Sequence, residues 1–340
     1  QLNHIPETAA EIAERVGIDE EEAVVLLEGM IPIRKVRADT TALETGGYGE
    51  IGEKSDDEVK KYRLAPFIVG WFEAYLQTRD PGSAEFGKMY EQYIIEGGGE
   101  RVFAPRPGQQ GVIPYRGSLS LEELKREPQN DIEAHFQRYD RFLVIDCVCK
   151  LEKAAARGHS CDMPIKRCGF IGMPPGVPLS ENVLPREEAS SLFAELDDIG
   201  TMVCTGFYGY TLSAETPQFV GSCHCCGCCC VFMNSARVDD NITETVQRSN
   251  YRAVKDYDLC INCGECVRRC QVFAHTYKET EYGKVTVYDP ELCIGCGSCG
   301  MGCESNALHL EPIPDEERFH VASSFTEWEE QRLELMGLDS

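Results

Sequence analysis

The sequence predicts an α+β chain of several domains, and three observations predict it. With 340 residues and 42% apolar content, the chain can fill two or three cores. Its first third opens on helical patterns followed by strand-like runs, and its middle alternates strands with helices. Its nineteen cysteines begin only at Cys147 and crowd into a few knots, too many and too clustered for packing alone. This organisation suggests a helical domain with a linker over residues 1–129, a small α/β cysteine-rich domain over 130–250, a compact cysteine-run domain over 251–315 and a tail over 316–340.

Residues 8–16 read as one helix. A second opens at Asp19, with Glu22 in a capping-box-like position and Val24, Leu26 and Leu27 as its apolar face. Residues 31–37 and 61–64 read as strands around a polar, Gly-rich connection. This order resembles a winged helix-turn-helix. The would-be reading helix carries Asp19, Glu20, Glu21, Glu22 and Glu28 without a basic residue, the wrong sign for a phosphate-lined groove, so a structural or docking role is expected. The connection contains a literal G-x-G-x-x-G from Gly47 to Gly52, but acidic and polar residues follow it where a nucleotide fold needs a helix, so it reads as a flexible wing.

Residues 66–77 form an aromatic core helix and 86–95 another, ended by Gly97, Gly98 and Gly99; 101–117 read as a linker or surface crossing. A short helix then leads to a buried strand over 141–149, which runs into a helix stopping at Gly158. Residues 185–199 form an amphipathic helix with Ala189, Leu192, Phe193 and Leu196 on one face. Strands are expected over 201–208 and 216–221, and a helix over 231–236.

Two C-x2-C-x2-C-x3-C runs occupy the end of the chain: Cys260, Cys263, Cys266, Cys270, and Cys293, Cys296, Cys299, Cys303. Thiolates at two-residue spacing let a tight loop reach three corners of an iron–sulfur cubane, with the fourth ligand supplied from elsewhere. Acidic lead-ins precede both runs, Gly264, Gly295 and Gly297 free the loop backbone, and residues 284–288 and 307–310 read as short strands. From about Val254 to Pro312 the chain resembles the bacterial two-[4Fe-4S] ferredoxins, with Gln271 and Glu304 where those carry proline. The resemblance implies two [4Fe-4S] clusters with crossed fourth ligands: Cys260, Cys263, Cys266 and Cys303 on one, Cys293, Cys296, Cys299 and Cys270 on the other.

Ten further cysteines form a second constellation: Cys147 and Cys149, then Cys161 and Cys168, then Cys223, Cys225, Cys226, Cys228, Cys229 and Cys230. Soft thiolate sets select zinc, Cu(I) or iron–sulfur clusters. One or two further iron–sulfur clusters are expected beside a ferredoxin module, with structural zinc or a redox dithiol as alternatives. His159 and His224 are read as surface or supporting groups, and Cys204 as a buried apolar residue. As a whole the chain resembles the 4Fe-4S dicluster proteins of anaerobes, on the strength of the ferredoxin runs and the Cys-Cys-Gly-Cys-Cys block.

A formal net charge of -24 argues against nucleic acid and favours a basic protein surface as partner. The cysteine knots, with adjacent pairs, suit metal ligation in a reducing compartment, so the cytoplasm of an anaerobic cell is expected; no run of eighteen apolar residues appears, so no membrane span is expected. The function expected is low-potential electron relay between a donor and a partner oxidoreductase through at least three clusters. An oxidoreductase with its active site in the Cys147 to Cys230 region, and a redox-sensing regulator, are the alternatives.

Overall fold

The structure, a computed structural model, describes residues 7–31, 36–39, 60–64, 71–99, 110–127, 130–173, 176–207, 221–238, 246–319, 331, 333–335 and 337. The chain forms two compact units, Gln1–Glu85 and Phe86–Ser340. It mixes helix and sheet, and among the described residues no helix is long and apolar enough to cross a membrane.

In the first unit, β1 (Glu7–Thr8) enters the helix Ala9–Val16 through a capping box, in which Thr8 Oγ1 accepts from the Glu11 N–H at 3.2 Å and the Glu11 carboxylate accepts from the Thr8 N–H at 2.7 Å. Gly17 stops that helix in the left-handed region at φ 76. The second helix, Glu20–Met30, has Asp19 at its cap position, yet Asp19 makes no capping bond; Glu20, Glu21 and Glu22 supply the negative charge that its N-terminus favours. Its buried side is Ala23 with Leu27, four residues apart, whereas Leu26 is exposed, so the apolar face is rotated from the one expected. β2 (Val36–Asp39) and β3 (Lys61–Leu64) complete an antiparallel sheet in the order β1-β3-β2. The glycine-rich connection with its G-x-G-x-x-G, and residues 65–70, lie outside the described residues.

The second unit is built on a six-stranded sheet of β4 (Gln110–Val112), β5 (Arg141–Asp146), β6 (Lys166–Gly172), β7 (Val183–Pro185), β8 (Val203–Phe207) and β9 (Ser222–Cys225) in the order β4-β8-β9-β6-β5-β7. Every pairing among them is antiparallel, where the sequence suggested an α/β layer. The reason is the helix Val148–Arg157, which is an excursion instead of a crossover: the chain returns to the end of β5 it left, and Asp146 pairs with Lys166. β4 comes from the segment read as a linker, and β9 is made of the cysteine block itself; most of residues 216–221 lies outside the described residues.

One sheet face packs against the helix Arg186–Ile199 around Phe136, Phe142, Phe170, Phe193 and Leu196, with Cys204 inside this core. The aromatic rings meet edge to face, Phe170 on Phe193 at 5.1 Å between centroids. Near the other end, Lys153 pairs with Glu91 at 3.0 Å and with Glu152 at 3.3 Å. Glu152 is fully buried, and that burial raises its carboxyl to about 7. A raised carboxyl contributes stability that is complete below its ordinary value of 4.5 and lost as pH rises through about 7. Chemical denaturation at pH 5 and pH 8 is therefore expected to show Glu152→Gln gaining about 3 kcal/mol on the unsubstituted chain across that interval; parallel pH profiles would show that Glu152 does not titrate there.

Candidate metal centres

The terminal cysteine runs lie between two small antiparallel pairs. β10 (Tyr251–Lys255) pairs with β13 (Leu308–Pro312), and β11 (His275–Thr280) pairs with β12 (Gly283–Tyr288). Each run bends through two left-handed residues at matching places, Asn262 and Gly264 in the first, Gly295 and Gly297 in the second. A Cβ at Gly264 would strike the Tyr277 hydroxyl, and one at Gly297 the Ser118 side chain. Those turns open the short helices Glu265–Arg269 and Ser298–Met301, whose first turns bury Cys266 and Cys299.

The thiol of Cys270 sits in the electrostatic field of Cys293, and Cys296 feels both. Cys266 instead shares its field with Cys260 and Cys263. Burial pushes Cys296 up to about 12, so in the absence of metal that sulfur keeps its proton. Lys255 is buried beside the first run, donating to Thr286 O and Oγ1 at 2.7 Å each, and its charge favours the thiolate at Cys260. Cys303 packs against the small core of Tyr251, Ala253, Cys266, Cys299, Leu308 and Leu310.

All ten cysteines of the second constellation come to one end of the sheet. The excursion after β5 brings Cys147, Cys149 and Cys161 there, with the Cys147 N–H bonded to Ile165 O at 2.7 Å. β6 carries an extra residue between Ile171 and Cys168 and another between Cys168 and Lys166, with Gly169 at φ 81. These bulges bend the strand and re-aim its side chains. Cys168 thereby meets Cys223 at 3.1 Å, while its neighbour Arg167 also turns to the sulfurs.

The thiols divide into two groups. Cys161, Cys226, Cys228 and Cys229 have sulfurs all within 4.8 Å of one another; Cys161 and Cys226 are 3.7 Å apart. Among the described residues no other three thiol, imidazole or carboxylate donors gather so closely. The remaining six form a more extended set: Cys147 neighbours Cys149, Cys149 neighbours Cys230, Cys230 neighbours Cys225, and the Cys168–Cys223 pair, 3.1 Å apart, lies beside Cys147 and Cys225. A proton shared with Cys149, then burial, holds the Cys147 thiol well above its usual range. Cys226 goes the other way, because the Cys228 and Cys229 thiols donate to it and the Arg167 guanidinium attracts its charge.

Arg167 is the group that sequence reasoning missed. It is fully buried, donating to Cys226 Sγ at 3.0 Å and Met202 Sδ at 2.8 Å, with no hydrogen-bond partner for Nε. Its charge also faces Cys147 and Cys225. Only the cysteine spacing signalled this region, and an arginine beside a cysteine has no signature of its own. His224 points to the opposite sheet face, bonded to Asp197 at 2.7 Å and edge-on to Phe193, and His159 is exposed beside the Arg157 carbonyl.

The two sulfur regions touch. The Gly227 N–H, between Cys226 and Cys228, donates to Gln271 Oε1 at 2.8 Å, and Gln271 directly follows Cys270. Tyr115 spans the same seam: its N–H donates to Cys296 O at 2.9 Å and its hydroxyl to Met202 O at 2.6 Å.

A family model for the 4Fe-4S dicluster domain matches residues 259–308, and none of the curated proteins matches the chain. The matched domain and the thiol-rich region together define an iron–sulfur, metal-binding protein and point to electron transfer. The proximity of Cys270 to the second run generates a test of the wiring. Cys270→Ala is expected to damage the cluster of Cys293, Cys296 and Cys299, read as one altered EPR signal after stepwise reduction; loss of the Cys260 cluster alone would show uncrossed ligands.

Proposed function

We propose that this chain relays single electrons between a low-potential donor and a partner oxidoreductase through at least three clusters. Two are the [4Fe-4S] clusters of the dicluster domain, held by Cys260, Cys263, Cys266 and Cys303 and by Cys293, Cys296, Cys299 and Cys270. The third belongs to the extended six-thiol set of Cys147, Cys149, Cys168, Cys223, Cys225 and Cys230, whose donors suit iron and sulfide. The observation that carries the reading is the Gly227–Gln271 bond, which joins the cysteine block to the residue after a cluster ligand.

The outer end of the route is the loop of the first run. Cys263 is exposed there, and Tyr257, Leu259 and Ile261, which lead into the same loop, are exposed as well. An apolar surface beside an exposed cluster ligand favours docking of a protein partner, and the net charge of -24 favours a basic one. The first unit, read as winged-helix-like, fits docking better than nucleic-acid binding, since its second helix opens on three glutamates. An oxidoreductase acting at the Cys147 to Cys230 region is the second reading; the buried, thiol-lined setting around Arg167 is what favours it.

Metal and sulfide analysis of anaerobically purified chain is expected to give iron and acid-labile sulfide beyond the roughly eight irons of two cubanes. Iron at the two-cluster level alone would remove the third carrier. Ile261→Lys, which removes the apolar contact and adds a like charge, is expected to slow electron exchange with a basic acceptor protein several-fold, with unchanged EPR spectra; an unchanged rate would move the docking face elsewhere.

A further inference from the structure

Four sulfurs drawn within 4.8 Å of one another are close for the corners of a cubane, where irons and sulfides separate the protein ligands, but suit a single metal ion. With zinc–sulfur bonds of about 2.3 Å, a tetrahedral site places its sulfurs about 3.8 Å apart. Cys161 and Cys226 stand at 3.7 Å. From this we infer that Cys161, Cys226, Cys228 and Cys229 form a closed tetrathiolate site for one zinc ion, separate from the iron–sulfur centre of the six remaining thiols, with Arg167 as its buried counter-charge.

Binding replaces the sulfur-bound protons with four zinc–sulfur bonds and releases those protons to solvent, with no change of oxidation state. The product is a doubly negative centre. A buried guanidinium with no carboxylate partner among the described residues fits that charge: Arg167 donates to Cys226 Sγ at 3.0 Å, and its Nε, unpartnered among them, lies in the same interior. The neighbouring frame is also fixed. Lys150 is buried and donates to Cys161 O at 2.6 Å and to Met163 O, holding the Cys161 loop against the helix that carries Cys149. A zinc ion there pins this loop to the Cys226–Cys230 turn, and so fixes the Gly227 N–H that meets Gln271.

This inference extends the relay reading but does not share its test. The full chain, produced with both iron and zinc supplied and purified without oxygen, is expected to hold about one zinc per chain through dialysis. Growth with cobalt should give the visible absorption of tetrahedral cobalt bound by thiolates. In Cys228→Ser, and in the doubly substituted Cys161→Ser, Cys229→Ser chain, zinc and the cobalt bands should fall while acid-labile sulfide and all EPR signals persist. Arg167→Gln should weaken zinc at least tenfold in competition with a chelator, and Arg167→Lys should restore most of it. Loss of iron and sulfide from the Cys228→Ser chain, or a zinc content unaltered by either cysteine variant, would overturn the site. An unaltered zinc affinity in Arg167→Gln would overturn the role of the arginine. A chain without iron beyond two cubanes, yet with zinc lost in these variants, would sink the third carrier and leave this site standing.

Discussion

The sulfur-rich end of the sheet is governed by one buried charge. Arg167 is fully buried, and its hydrogen-bond partners are sulfurs. Removing a guanidinium from water costs several kcal/mol unless negative charge comes close. Cys226, held below its usual range, supplies part of that charge, while neighbouring thiols and then burial keep Cys147 and Cys223 neutral. A bound metal ion would supply the rest, since it turns thiols into thiolates whose excess negative charge the arginine can face. On the zinc inference above, metal loading and folding of this region would be coupled. The two bulges in β6 are what make the arrangement reachable, because they bring Arg167 and Cys168, adjacent in sequence, to the same sulfurs.

The same constraint gives a physical account of a departure from the ferredoxin pattern. Proline after the fourth cysteine of a run has no side-chain acceptor, whereas Gln271 accepts the Gly227 N–H of the cysteine block at 2.8 Å. The contact is one of several across the seam. Arg269 donates to Gly200 O at 3.2 Å, Ser298 Oγ donates to the same carbonyl, and Tyr115 ties Cys296 to Met202. Met202 in turn receives the Arg167 guanidinium, so the dicluster domain and the buried charge are linked through one turn, residues 200–202. A free-standing ferredoxin would have no use for these groups. Their presence argues that the dicluster domain is seated against the sheet as a built part of the second unit.

Much of the helical framework was legible because its signals are local. Gly158 and Gly200 end their helices in left-handed conformations where the sequence places the stops, and the Ala189, Phe193, Leu196 stripe is buried as its spacing requires. The cysteine runs were legible for the same reason, since their ligands are close in sequence. What the sequence hid depends on pairings between distant segments. β4 looked like a linker because three residues between glycines and prolines carry no period, and it becomes a strand only by pairing with β8. The antiparallel sheet was hidden because a strand followed by a helix signals a crossover unless the return point is known. The division of ten thiols into four and six follows from the excursion after β5, which no spacing rule encodes.

The proposed relay would take its outer and inner ends from the order of these groups along the second unit. Exposure falls from Cys263 at the outer loop, through the half-buried Cys270 and Cys293, to the buried Cys147, Cys223 and Cys225 at the sheet. Positive charge is placed inside along the same line, with Lys255 beside the first run and Arg167 beside the last sulfurs, while the chain as a whole carries -24. A buried positive charge favours the reduced, more negative form of a neighbouring centre, and an acidic exterior disfavours it. In the proposed relay, electrons would enter at the exposed loop around Cys263, where a docked partner comes nearest to a sulfur ligand.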